Sequence, residues 1–244
     1  MYKVEINNIS KSFGQLNTLE NVSLSLKENQ FVTILGPSGS GKSTLFNIIS
    51  GLLLPDEGEV LIESNLYTGK TGRVSYMHQK DLLLPWKNIL ENVCVPLNLK
   101  GYSNKDAMEK ALKHFKLFGL DGFEKSYPNQ LSGGMRQRAS LLRTYLFSND
   151  IMLLDEPFGG LDAITKRTMQ QWLLEVFKDL KASILFITHD IDEAIFLSDK
   201  VYVLSERPAS VKAEFEVNIA RPRSLDTFTC KEFNEMKKDI LDLL

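Results

Sequence analysis

The chain has 244 residues, 43% of them apolar and 25% charged, enough to bury a sizeable core as one large domain or one domain carrying an inserted lobe. A formal net charge of -2 supplies no global basic field, which argues against nucleic acid and against an anionic lipid surface as direct partners. Cys94 and Cys230 lack metal-type spacing and read as reduced thiols of a cytosolic compartment, and neither an N-terminal apolar h-region nor an apolar run near the ~20 residues of a membrane span occurs, so work at a membrane falls to partners.

The opening alternates apolar and polar residues over 3–9 and again at Val22, Leu24 and Leu26, the period of half-buried strands. Phe31–Leu35 is apolar throughout, as a strand buried on both faces requires. Gly36, Pro37, Ser38, Gly39, Ser40, Gly41, Lys42, Ser43 and Thr44 follow at once and fit G-x-x-x-x-G-K-[ST] between a strand and a helix over 42–50 that Gly51 stops. Such a loop turns backbone N–H groups and a helix N-terminus onto phosphate oxygens. Lys42 would neutralise the β- and γ-phosphates of a nucleoside triphosphate, and Ser43 would offer a hydroxyl to Mg2+.

Strands are expected through Val60 and Ile62 and over 73–77, after which Gln79 could reach Mg2+ or water with its amide. From 81 to 121 the pattern turns helical, with Met108, Ala111, Leu112, Phe115 and Phe118 on one face, Ser103 and Asp106 as a capping box, and Gly119 as the stop. Within it, residues 81–96 are unusually apolar for a margin, as a groove for a partner's short helix would be. Ser132 opens a helix to Phe147, and with Leu131, Gly133, Gly134 and Met135 forms a second Gly-rich helix start, a piece that could be offered to another copy.

Strand and helix then alternate: a strand over 151–154, a helix on Ile164, Thr168, Trp172, Val176 and Leu180, a strand over 183–187, a short helix near Ala194, a strand over 201–204, a further strand over 211–219, and a closing helix on Phe233, Met236, Ile240 and Leu243. This order around a phosphate loop implies an α/β fold with a mainly parallel sheet, interrupted by a helical lobe at about 81–147 and closed by a short tail at about 221–244. Asp155 and Glu156 end a buried strand, where Asp155 would hold Mg2+ and Glu156 would act as general base on water. Thr188, His189 and Asp190 end the next, and His189 could bond the γ-phosphate or the attacking water.

Together these residues resemble the nucleotide-binding subunit of an ABC transporter, a P-loop NTPase with an N-terminal antiparallel β portion, and the resemblance spans about residues 4–223. It implies ATP as ligand and a head-to-tail dimer in which Ser132, Gly133 and Gly134 of one copy meet the γ-phosphate held by Lys42 of the other. It also implies Phe13 as the adenine-stacking aromatic and Asp162, after Gly159, Gly160 and Leu161, as a contact to the second copy. Met135 and Gly160 depart from the family's usual Gln and Ala. Leu83, Leu84, Pro85 and Trp86, the run from Glu156 to Asp162, and Arg221, Pro222 and Arg223 look like the importer branch serving nitrate, sulfonates, taurine and thiamine precursors. That branch implies two integral-membrane permease subunits, a substrate-binding protein and a place on the cytoplasmic face of the membrane. The alternative is a soluble ABC ATPase of macromolecular assembly or DNA maintenance; against the DNA branch, the residues between Lys42 and Ser132 carry no sustained heptads.

Overall fold

The computed structural model describes residues 1–148 and 150–243. Among these described residues ten strands and seven α-helices follow in chain order: β1 (Tyr2–Phe13), β2 (Leu16–Lys27), β3 (Phe31–Leu35), α1 (Lys42–Ile49), β4 (Glu57–Ile62), β5 (Asn65–Leu66), β6 (Ser75–Met77), α2 (Ile89–Leu99), α3 (Asn104–Phe115), α4 (Gly133–Phe147), β7 (Ile151–Asp155), α5 (Ala163–Leu180), β8 (Ser183–Thr188), α6 (Ile191–Leu197), β9 (Lys200–Leu204), β10 (Val211–Glu216) and α7 (Lys231–Leu241).

The strands form two sheets, an antiparallel one ordered β2-β1-β4-β5 and a six-stranded one ordered β10-β9-β3-β8-β7-β6. In the larger sheet every pairing is parallel except β9 with β10. Its central strands are buried on both faces, and their alternation divides the core in two. Val32, Ile34, Ile151, Leu153, Leu185 and Ile187 join the smaller sheet and α1, whereas Phe31, Leu35, Met152, Leu154, Ile184 and Phe186 join the helices of the other side. By the same alternation Asp155 points with Leu153 toward α1. Beyond α1 the chain turns at Gly51, φ 78, where a Cβ would come 2.0 Å from the carbonyl oxygen of Lys70.

Several expectations shift. Residues 81–88 are not helical; they form a loop held from α4, where Ser140 Oγ and Arg143 Nη2 donate to the carbonyl of Asp81 at 3.1 and 2.6 Å and Arg143 Nη1 donates to that of Leu82 at 2.8 Å. Asn92, wholly buried in α2, holds the other half: its Oδ1 accepts from Leu84 N at 2.7 Å and its Nδ2 donates to the carbonyls of Leu84, Lys87 and Asn88. A complete capping box joins Asn88 and Glu91 on α2, while Ser103 caps α3 by accepting from Asp106 N and donates its hydroxyl to Asp106 Oδ2 at 2.7 Å. On α3, Leu112 is exposed and Ala107 takes its place in the buried face, because Phe115 and Ala111 set the stripe one step round. On α5, Ile164 is 80% exposed and Thr168 also faces out, whereas Met169, Trp172, Leu173, Leu174, Val176 and Leu180 reach the core.

The tail wraps back through Arg221 and Arg223. Arg221 pairs with Asp199 at 2.7 Å, and the buried Arg223 guanidinium donates to the carbonyls of Ile195, Phe196 and Ser198 at the C-terminal end of α6 and to that of Ile219. Burial, with Arg221 nearby, pushes the Arg223 group down to about 10.

Replacing Asn92 by leucine strips Leu84 N and Lys87 O of their partner, removes one of two bonds from the carbonyls of Leu84 and Asn88, and is expected to cost about 2–4 kcal/mol in urea unfolding. A parental midpoint and slope in that variant would contradict the bracing role.

Candidate functional site

The phosphate-type loop leaves β3 at Leu35 and enters α1 at Lys42, and its shape is imposed by neighbours. Gly41 has φ 108, and a Cβ there would press within 2.9 Å of both Leu19 Cδ2 and Thr18 Cγ2, so β2 walls the loop at the point where only glycine fits. Lys42 is 5% exposed and folds over the loop, donating from Nζ to the carbonyls of Gly36 and Pro37 at 2.9 and 2.8 Å. Burial lowers its basicity, and the nearby carboxylates Glu156 and Asp155 oppose that effect.

Asp155 sits at the end of β7, 6% exposed, and accepts from Tyr76 Oη at 3.2 Å. Burial raises its pKa, against bonds from Ser43 and Tyr76 that favour the carboxylate. The same burial, reinforced by Asp155, raises the Tyr76 phenol. Glu156, one residue on, adopts φ 42, a left-handed conformation that costs on the order of 1 kcal/mol for a residue with a side chain. Its amide bonds Ile187 O at 3.0 Å, and the turn aims its carboxylate along the sheet edge. There Oε2 accepts from Gln79 Nε2 at 3.2 Å and Oε1 lies 3.2 Å from His189 Nδ1.

The turn carrying His189 is braced from behind. Lys166 of α5 lies 2.8 Å from both Asp190 and Glu193; Thr188 Oγ1 and Gln170 Nε2 donate to Glu193; and Thr188 Oγ1 accepts from Asp190 N. His189 itself stays half exposed.

A cavity of about 310 Å³ is lined by Gly39, Lys42, Ser43, Gln79, Asp155, Glu156 and Arg207 among others. Lys42, Ser43, Gln79, Asp155, Glu156 and, through Glu156, His189 are thus brought together. Ser38, Gly39, Gly41 and Thr44 of the loop line the same cavity, whereas Phe13, Ser132, Gly133, Gly134 and Asp162 do not. Ser132 caps α4, accepting from Met135 N at 3.3 Å, and a Cβ on Gly133 or Gly134 would meet Leu161 at 3.1 Å or Thr165 at 3.2 Å. Neither Ser132 nor these glycines line the cavity around Lys42. Asp162 caps α5, accepting from the amides of Ile164 and Thr165, and the bonds from Thr165 hold its carboxyl below the ordinary range. Gly160, two residues before it, has φ 83, a conformation that favours glycine over the family's usual alanine. Phe13 is half exposed at the end of β1, with Lys11 Nζ 5.6 Å from its ring centre.

Sequence reasoning missed Tyr76, Lys166 and Arg207. The alternation Tyr76, Met77 on a strand beside β7 carried a signal for Tyr76; the other two arrive from remote elements.

The donors fit a hard divalent cation. Asp155 is a buried carboxylate with no lysine or arginine bonded to it among the described residues, and the Ser43 hydroxyl is beside it. Among the described residues no three His, Cys, Asp or Glu side chains gather as a protein-only metal site, so phosphate oxygens would complete the shell.

Residues 19–159 match the ABC transporter family. The chain is 40% identical over 242 residues to an aliphatic sulfonates import ATP-binding protein of Bacillus cereus, covering 98% of this chain and 94% of the relative. It is 43% identical over 228 residues to a formylaminopyrimidine import ATP-binding protein of Halalkalibacterium halodurans, covering 93% and 89%. The dimeric structure of MJ0796, a bacterial ABC transporter cassette, superposes with a TM-score of 0.76 at 32% identity, covering 89% of this chain and all of that one. The chain belongs to the ABC transporter family, and its fold is the ATP-binding cassette.

Because burial raises the Asp155 pKa above its unfolded value, the charged carboxylate costs stability at every pH above the folded pKa and the cost fades as pH falls toward about 4. Asp155→Asn is expected to raise the melting temperature of the nucleotide-free protein at pH 7, with the gain shrinking toward pH 4. A lower melting temperature at pH 7 would refute the assignment.

Proposed function

We propose that this chain is the ATP-hydrolysing subunit of a small-molecule importer. The observation that carries the reading is Glu156 held between Gln79 and His189 at the mouth of the Lys42 loop, while the Ser132 helix start presents its own free end elsewhere. A triphosphate in the loop would draw Lys42 Nζ from the carbonyls of Gly36 and Pro37 onto β- and γ-phosphate oxygens. The amides of Gly39, Ser40 and Gly41, with Gly36, Pro37, Ser38 and Thr44 shaping the turn, would cradle the β-phosphate. Phe13 stacks the adenine.

Ser43, Asp155 and Gln79, together with phosphate oxygens, would hold Mg2+, which would supply charge neutralisation at the β- and γ-phosphates. Glu156 accepts the proton of the attacking water, which adds to the γ-phosphorus as the bond to ADP breaks. His189, oriented by the Lys166 and Glu193 brace, donates to the γ-phosphate oxygens. Ser132, Gly133 and Gly134 of a second copy close over that phosphate, the α4 N-terminus toward it, and Asp162 contacts the second copy. Two copies thus sandwich two ATP molecules head to tail.

The relatives' import roles support a permease as partner and favour it over soluble assembly or DNA work. A cavity of about 450 Å³ lies beyond Gln79, lined by Leu52, Leu82, Leu84, Val95, Leu99 and Phe147 among others, with Trp86 70% exposed on the same loop. It suits the short helix of an integral-membrane subunit, and no helix among the described residues is long and apolar enough to cross a membrane. Two permease subunits, one per copy, would seat the dimer on the cytoplasmic face, with a substrate-binding protein on the other side. The solute would touch those partners and not this chain.

Glu156→Gln is expected to keep ATP binding, lose about 100-fold or more of turnover, and elute as an ATP-trapped dimer. Parental turnover would overturn the base assignment. In a pull-down from solubilised membranes an integral-membrane partner should be recovered with the parent and reduced with Leu84→Asp. Recovery of soluble partners alone would favour the assembly ATPase.

A further inference from the structure

Arg207 belongs to the β9–β10 hairpin, outside every motif considered above, yet it lines the same cavity as Lys42 and Glu156. Its Nη2 lies 3.6 Å from the point a Cβ on Gly39 would occupy, at the tip of the phosphate loop. Among the described residues it forms no ion pair and donates no side-chain hydrogen bond, whereas Arg73, Arg136, Arg143, Arg221 and Arg223 are all engaged.

The hairpin is fastened to the frame that shapes the cradle. Leu204, at its start, packs beneath Gly36, where a Cβ would lie 3.2 Å from Leu204 Cβ. Ser205 closes the hairpin on itself, N–H to Ser210 O at 3.0 Å and Oγ accepting from Ser210 N at 2.9 Å. At its far end Ala209 N donates to Thr18 O at 3.0 Å and Ala209 O accepts from Glu20 N at 2.9 Å. Thr18 and Leu19 are the residues that wall Gly41. One continuous set of contacts therefore ties the arginine's backbone to both ends of the loop, with its guanidinium left free over the middle.

The charges at the cavity call for such a group. Lys42 approaches the loop from inside, against two carboxylates, Asp155 and Glu156, on the sheet edge. A bound polyphosphate brings several further negative charges, and its outer side faces solvent past Gly39. An arginine there offers a planar fork of N–H donors to non-bridging phosphate oxygens, a geometry lysine does not reproduce.

We propose that Arg207 is a second polyphosphate-binding cation, contacting the β- and γ-phosphate oxygens from the solvent side of Gly39 and fixing the nucleotide's affinity together with Lys42. This deepens the ATP-site reading and rests on it. The contact is supplied by the same copy that holds the nucleotide, so it operates before any second copy closes.

Calorimetric titration of the full-length chain with ADP and with ATP, at two salt concentrations, tests it. Arg207→Ala and the length-preserving Arg207→Gln are both expected to weaken binding by about three- to twentyfold and to flatten its salt dependence, with Arg207→Lys falling between them and the parent. Binding within twofold of the parent in Arg207→Gln, with an unchanged salt slope, overturns the proposal. Lys42→Ala separates the two readings: if it abolishes binding while Arg207→Gln does not weaken it, the cradle stands and Arg207 falls. If Lys42→Ala binds as the parent does, the ATP-site reading itself falls.

Discussion

The parallel pairing of β3, β8 and β7 is the constraint on which the rest depends. Leu35 lies opposite Thr188, and Asp155 opposite Ile187, so three separate stretches of chain run out within about one residue of each other on a single edge. The segments that leave these strands are then forced to meet. The loop from Gly36 to Lys42 leaves the first, the Asp155 and Glu156 carboxylates leave the last, and His189 leaves the one between. Parallel strands cannot be joined by tight turns, so their crossovers supply the helices that bury both faces. The apolar runs that look featureless in sequence are what keep this edge level, since each side chain is locked into one of two cores.

Level strand ends alone would leave two acids repelling each other beside a lysine. The structure separates them by conformation. Asp155 remains in the pleat and turns to the buried side with Tyr76 and Ser43, where its charge is disfavoured. Glu156 flips into the left-handed region and reaches the exposed amide of Gln79 and the half-exposed His189. One carboxylate is made hungry for a cation and the other is kept reachable by solvent. Local strain and burial are tolerated because the surrounding sheet is over-determined.

Much of this was legible in the residues. Lys42, Asp155, Glu156 and His189 follow strands whose apolar character is continuous, and a short spacing after such a strand is enough to place a side chain at its end. The limits have equally physical causes. Helical periodicity cannot report the loop over 81–88, because Asn92 and Arg143 satisfy its backbone from other elements at no cost to the apolar pattern. The first turn of α5 exposes Ile164 since Asp162 caps it away from the core. Arg207 carried no signal at all: its place at the cavity comes from pairing β9 with β3 and from the bond between Ala209 and Thr18, both long-range. Gly160 departs from the family's usual Ala, and its φ of 83 is a conformation that favours glycine.

The fastening of residues 81–88 to α4 separates the shape of this surface from its chemistry. Ser140 and Arg143 grip main-chain carbonyls, and Asn92 does the same from α2, so the attachment depends on the path of the backbone and hardly at all on which side chains the loop displays. Leu82 and Trp86 are thereby interchangeable fittings on a fixed mount. On the docking role proposed above, what this surface recognises could be rewritten residue by residue while the mount keeps its alignment with the helix that begins at Gly133. Diversity of docking and constancy of drive are compatible because they are written in different parts of the same peptide units.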